Sequence, residues 1–177
     1  MVVWLGSAGA QEQQEGLLEL LDSTPVVDGT PTDRFADDEA AAAWQRAHGG
    51  TGTAEERGHL LALRDVLQAV TWGEKPPSAV EAHLDGVALR PRITSSGLAW
   101  EFDAPKQRRL AVEYALSWGQ LEEALPGRLR PCGNPECRRF LIDRSKANNA
   151  RWCSMARCGN RMKARRHYER ARTTTAP

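Results

Sequence analysis

Four cysteines, in the order Cys132-x4-Cys137-x15-Cys153-x4-Cys158, constrain this chain more than any other feature. Two close pairs separated by a loop are an economical way to give a tetrahedral zinc ion four thiolates, each at about 2.3 Å. Pro131, Gly133, Asn134 and Pro135 around the first pair preset the dihedrals of a tight knuckle. In the second pair, Ser154 suits an N-cap, and a helix is expected from Met155 to about residue 171. Cys153 then precedes the helix and Cys158 falls in its early turns, where the helix dipole and nearby arginines favour the thiolate. A knuckle followed by a helix N-terminus is a treble-clef-like arrangement. Four sulfurs close the coordination shell, so the expected cofactor is one structural Zn2+ and not a catalytic metal. Unpaired buried thiols or a labile redox pair are the other readings, and two disulfides would require an oxidising compartment.

The same stretch is where the positive charge lies. The chain as a whole carries 24 basic and 23 acidic residues. Residues 130–172 hold thirteen of the Lys and Arg against three acids, a net +10, which leaves −9 on the remainder. An acidic body joined to a basic C-terminal piece points to a polyanion partner for the second part alone. Metal would decide whether a module of some forty residues with few large apolar side chains is folded at all. Trp152, beside a ligand, is expected in its miniature core.

Ahead of it, hydrophobic periodicity predicts a mainly helical body. Residues 1–12 read as a flexible leader, followed by a helix over about 13–22 carrying Leu17, Leu18, Leu20 and Leu21. A second helix is predicted over about 34–48 with Asp33 as N-cap and Gly49 and Gly50 as its stop. Thr53 and Glu56 form a capping-box pattern opening a third helix to about Val70, and Ser78 caps a short one. Alternation on either side of SSG predicts a hairpin over about 88–102, and a long helix follows to about Leu125. The expected fold class is α+β, mainly α: a helical N-terminal domain with one β-hairpin over 13–126, a small treble-clef-like zinc finger over 127–172, and a disordered tail over 173–177.

No P-loop, dinucleotide fingerprint, Ser-His-Asp set or metal-ligand histidine motif is present, so no enzyme and no catalytic residue is expected. His48, His59 and His83 read as surface or boundary residues, and Trp4, Trp44, Trp72, Trp100 and Trp118 as core or boundary residues. The opening MVVWLGSAGA does not read as a signal peptide, and no apolar run approaches the length of a membrane span. A cytoplasmic protein without a membrane partner is the expectation.

RWCSMARCGNR, preceded by a Cys pair and by FLIDRSKANNARW, resembles the CGNR zinc finger. The matching residues are Phe140, Asp143, Ser145, Arg151, Trp152, Cys153, Ser154, Met155, Cys158, Gly159, Asn160, Arg161 and Lys163. The resemblance implies a bacterial transcription regulator in which an N-terminal ABATE domain, a stress-induced regulator domain, precedes the finger. The body is similar to that domain in size and layout. Its LELLDSTP segment places Ser23 near the Asn of the usual Leu-Asp-Phe-Val-Asn-Thr opening.

Double-stranded DNA is the expected polyanion. Arg157, Arg161 and Arg165 recur every four positions on one helix face, and Lys163, Arg166, Arg170 and Arg172 broaden it. Lys146, Ser145 and Asn149 in the preceding loop are candidate backbone contacts, and Arg151 in the RWC segment is a further candidate DNA-binding residue. Asn160 and Arg161 have the chemistry for adenine and guanine edges, while Asn160 equally suits bracing of the zinc knuckle. A solvated charged face, an RNA-binding zinc module and a protein-interaction adaptor are the rival readings. The body is expected to sense a small-molecule effector or to form a homodimer, since one finger buries little area on DNA.

Overall fold

The leucines of LLELL pack inward along one stripe of α1 (Ser7–Leu21), where Leu17, Leu20 and Leu21 have no exposed surface. This is a computed structural model, and it describes residues 7–27, 29–95 and 97–174. The helix begins six positions before its expected start at residue 13, because the Ala-, Gln- and Glu-rich stretch ahead of the leucines is good helix-forming sequence. The first six residues of the expected leader, with Trp4, lie outside the described residues, as do the last three of the expected tail.

A two-residue strand pair, β1 (Val26–Val27) with β2 (Thr30–Pro31), leads to α2 (Asp38–Ala47). That helix starts four residues later than predicted, and its cap is Asp37, which accepts from the Ala40 amide, and not Asp33. Asp33 is committed elsewhere: its carboxylate takes both the Phe35 amide at 2.9 Å and the nearly buried Arg64 guanidinium at 2.9 and 3.0 Å. The same guanidinium donates to the buried Ser23 hydroxyl at 3.1 Å.

Helix α3 (Ala54–Thr71) opens as predicted, with Thr53 accepting from the Glu56 amide at 3.2 Å. The buried Glu56 carboxylate accepts from the Gly52 and Thr51 amides, one and two residues before the usual capping-box partner. The short helix after Pro76 is a 3-10 helix (Pro77–His83) with Pro77 at its first position and no side-chain cap, so Ser78 does not cap it. The predicted hairpin is β3 (Ala88–Thr94) with β4 (Gly97–Asp103), and Leu110, Ala111, Tyr114, Ala115 and Leu121 bury α4 (Lys106–Ala124).

Two three-residue strands follow, β5 (Leu129–Pro131) and β6 (Phe140–Ile142), paired antiparallel. The architecture is thus α+β and mainly α, with two short strand pairs added to the one hairpin read from sequence. Leu129 and Phe140 belong to the same hydrophobic cluster as Leu17, Leu20, Leu21, Leu60, Leu63 and Leu67. Phe140 is 1% exposed, lies 5.2 Å from the Trp72 ring, and its amide donates to Asp22 at 2.7 Å. The first half of the cysteine-rich segment therefore packs into the core of the body and does not stand apart as a satellite. Trp44, Trp72 and Trp118 pack against that core, and Trp100 is half-buried in the hairpin. No helix among the described residues is long and apolar enough to cross a membrane.

Candidate metal centre and its basic flank

Hairpin β5–β6 carries the first cysteine pair and the start of the C-terminal helix carries the second. Cys132 follows β5 directly, and its amide bonds to Arg139 across the hairpin at 2.9 Å, which closes the knuckle. Asn134 O accepts from the Cys137 amide at 2.9 Å inside it. Cys153 precedes a five-residue π turn (Met155–Gly159) that holds Cys158 and runs into α5 (Asn160–Thr174). Ser154 caps this turn as expected, its hydroxyl accepting from the Arg157 amide at 3.4 Å. The sequence suggests an uninterrupted helix from Met155. Instead the Asn160 amide donates to Met155 O, five residues back, which widens the turn in which Cys158 is presented.

The four sulfurs all lie within 4.8 Å of one another, and none is in a disulfide. Cys137 and Cys153 are 3.8 Å apart and Cys153 and Cys158 3.7 Å. Sulfurs about 2.3 Å from the centre of a tetrahedron are separated by about 3.8 Å, so the donor set fits one Zn2+. With four thiolates the shell is closed, and the ion's contribution is structural.

Backbone and amide donors orient the sulfurs. The Cys153 amide points to Cys132 Sγ at 3.4 Å, and Asn134 Nδ2 donates to Cys158 Sγ at 3.6 Å. Asn134 is 1% exposed, and its Oδ1 accepts from the Glu136 amide at 3.2 Å. The bracing role weighed for Asn160 thus falls to Asn134, while Asn160 is exposed on the helix. A side chain at Gly159 would meet Met155 at 2.5 Å and the Trp152 ring at 3.2 Å. Trp152 lies against both Gly133 and Gly159, the contact expected of a residue in the finger's own small core.

Without a metal, burial pushes the Cys153 thiol up strongly and that of Cys137 to about 11. For Cys158 burial acts upward too, but hydrogen bonds from Asn134 and the neighbouring sulfurs outweigh it and bring the thiol below its ordinary value. A thiolate-favouring environment is found for Cys158 alone of these three, and it comes from Asn134 and the neighbouring sulfurs, not from the helix start. Zinc must displace protons from Cys137 and Cys153 when it binds.

Asp143 organises the loop between the pairs. It is buried, and it accepts from the Ser145 and Ala150 amides and the Arg130 guanidinium, each at 2.8 Å. Hydrogen bonding by Ser145, followed by the Ala150 amide and Arg130, holds its carboxyl below the usual range. The loop delivers Arg151, whose carbonyl receives the Gly133 amide at 2.7 Å, back onto the knuckle.

The eight basic-flank candidates, Lys146, Arg151, Arg157, Asn160, Arg161, Lys163, Arg165 and Arg166, are all exposed. They divide by their engagement. Arg165 bonds to Glu136 and Glu169 at 3.1 Å each. Arg151 and Arg166 lie over the Trp152 ring at 5.6 and 5.8 Å. Arg157, Arg161, Lys163 and Lys146 make no ion pair among the described residues. The π turn takes Arg157 out of the helical register it was expected to share with Arg161 and Arg165.

Within the body, His48 stacks on Trp44 at 4.1 Å, and His59 and His83 border a cleft of about 290 Å³ with Arg108. Burial, with Arg108 close by, holds the His83 imidazole below its usual range.

Comparison with known proteins agrees with the geometry for this part of the chain. Residues 128–171 match the family model of the CGNR zinc finger. No curated protein matches the chain.

Proposed function

We propose, from a CGNR zinc finger spanning residues 128–171, that the protein is a zinc-dependent DNA-binding transcriptional regulator without enzymatic activity. The observation that carries the reading is the state of Arg157, Arg161 and Lys163. These cations cluster at the start of a helix anchored by a closed thiolate site, are exposed, and make no ion pair among the described residues. Clustered like charge without a carboxylate partner is repulsive, and a row of phosphates relieves that repulsion. Asn160, released from any bracing duty by Asn134, is available to an adenine edge and Arg161 to a guanine edge. Arg165 is held by an exposed carboxylate pair worth about 0–1 kcal/mol, which a phosphate can displace.

The acidic body, similar in layout to an ABATE domain, is the regulatory part and either senses a ligand or dimerises. Leu89, Ile93 and Leu98 project from the β3–β4 hairpin, with Ile93 84% exposed, which supports an interaction surface there. Tyr168, 71% exposed among the arginines of α5, favours one rival reading, single-stranded RNA with a base stacked on the ring.

The test is fluorescence anisotropy with zinc-loaded full-length protein and duplexes selected from a random pool. Affinity is expected to fall linearly on a logarithmic salt scale, and Lys163→Ala to reduce that slope by about one. Arg161→Ala is expected to relax selection at one base position. Unchanged duplex binding by Arg161→Ala/Lys163→Ala would remove the helix from the interface. Tighter binding to a single-stranded RNA competitor, lost in Tyr168→Ala, would transfer the reading to RNA.

A further inference from the structure

A second site lies on the opposite kind of electrostatics. Helix α1, the C-terminal end of α2 and the middle of α4 enclose a cleft of about 470 Å³. Glu12, Glu15 and Glu19 of α1 and Glu113 of α4 line it, and among the described residues no Lys or Arg does. Glu12 and Glu15, and Glu15 and Glu19, are three and four residues apart on one helix, a like-charge arrangement that destabilises the helix unless a cation sits among the carboxylates. Existing partners cover only part of this charge. Glu15 accepts from the Gln11 amide at 2.9 Å, and Glu19 accepts from Trp44 Nε1 at 2.8 Å with His48 Nε2 3.5 Å away.

Acidic residues alone do not make a site, and the floor of the cleft supplies a separate observation. Tyr114 is 3% exposed, yet its hydroxyl has no hydrogen bond among the described residues. That hydroxyl lies over Gly16 in the cleft wall, where a Cβ would approach it to 2.5 Å and His48 to 3.0 Å. The hydroxyl is not sealed among protein atoms but opens on the cleft, so a ligand there can donate to it or accept from it in place of water. With no Cβ at position 16, the Tyr114 hydroxyl packs against the α1 backbone at the cleft wall.

The carboxylates do not converge on one point. Among the described residues, the four cysteines are the group of metal-capable side chains whose donor atoms all fall within 4.8 Å. A compact metal ion therefore has no coordination shell in the cleft, whereas an extended cation can place separate nitrogens near separate carboxylates. His48 and Tyr114 provide aromatic walls suited to the alkyl and ammonium parts of such a molecule. Burial pushes the Glu113 carboxyl up to about 7 against the opposing pull of Arg109, so an ammonium group arriving beside it stabilises its ionised form.

We propose that this cleft binds a linear organic cation with two or more amine nitrogens, the di- and polyamine class, with the Tyr114 hydroxyl and the α1 and α4 carboxylates as its partners. The proposal gives the sensing role of the body a place and a ligand class, and rests on that role only for its regulatory consequence.

Isothermal titration of zinc-loaded full-length protein with spermidine tests it in the absence of DNA, so a failure here leaves the reading of the finger untouched. Saturable binding at one site per chain is expected, with propylamine weaker by at least tenfold. Glu19→Gln/Glu113→Gln should weaken spermidine at least tenfold, and Tyr114→Phe several-fold with zinc content and helicity unchanged. Should the double variant fold poorly, Glu12→Gln/Glu15→Gln on the exposed side of α1 provides the same reading. Heat that does not saturate overturns the proposal. So do affinities unchanged in the carboxylate variants, or propylamine binding as tightly as spermidine.

Discussion

The helical body and the cysteine-rich finger bury different chemistry. In the body, Leu17, Leu20, Leu21, Leu63, Leu67 and Leu121 are wholly sealed from solvent, and the polar groups among them are tied into networks such as Ser23–Arg64–Asp33. In the finger from Asp143 to Arg170, the buried residues are Asp143, Cys158 and Gly159: a hydrogen-bond hub, a metal ligand and a glycine. Apolar burial maintains the first and coordination the second. The hairpin β5–β6 belongs to both, since its loop carries Cys132 and Cys137 while Leu129 and Phe140 sit in the leucine core. The division between an acidic part and a basic part is therefore clearer in charge than in packing.

Metal removal should separate the two parts most strongly. A structural four-thiolate zinc contributes on the order of 10–16 kcal/mol to folding of an isolated finger. Chelation, or Cys158→Ser, is expected to abolish hydrogen-exchange protection over residues 143–170 and, through the shared hairpin, to lower the melting temperature of the body. A body that melts at the same temperature with and without zinc would break the picture of a shared core. Phe140→Ala tests the same link from the other side. Loss of a buried phenylalanine costs about 3–5 kcal/mol, and chemical denaturation should show the body losing that much while zinc stoichiometry stays at one. Asn134→Ala removes one donor to Cys158 Sγ and leaves the leucines alone. Zinc affinity, measured by competition with a chromogenic chelator, should drop about 10–100-fold, with the unfolding of the zinc-saturated body little changed.

The smallest effect concerns the junction itself. Burial, opposed by the Phe140 amide and then by Arg139, raises the Asp22 carboxyl to about 6. An acid whose pKa is higher folded than unfolded binds more protons in the native state between about pH 4 and 6, so stability declines as pH rises through that window. Asp22→Asn should flatten this part of the stability–pH profile while its carbonyl still accepts from Phe140. Glu113→Gln should flatten the range from about 4.5 to 7, which belongs to the body alone.

Much of this arrangement could be read from residue order. The cysteine spacing, the capping at Thr53 and Ser154 and the apolar stripes of α3 and α4 are local signals, each contained within a turn or a helical repeat. What escaped the reading depends on distant partners. Strands of three residues, such as β5 and β6, have no room for a periodic pattern, and the partner of the Phe140 amide lies 118 positions earlier. Asp33 and Asp37 are equally good caps by composition, and only the approach of Arg64 from α3 withdraws Asp33. Asn134 and Asn160 both stand near a ligand, and the choice between them turns on the π turn, which no residue type announces. The place of the Tyr114 hydroxyl in the cleft is likewise a property of three helices meeting, invisible in any one of them.

The placement of Phe140 also sets a timetable. Synthesis delivers α1 through α4 first, yet the cluster that includes Leu17, Leu20 and Leu21, with Trp72 packed against it, is completed only by a residue from the last quarter of the chain. While the ribosome is still translating toward Phe140, the leucines it will cover face solvent or a chaperone. A nascent chain that stalls or is cut before the second cysteine pair emerges holds an incomplete core as well as an incomplete zinc site, and it becomes a target for proteolysis as a whole. Quality control would thus act on body and finger as a single product.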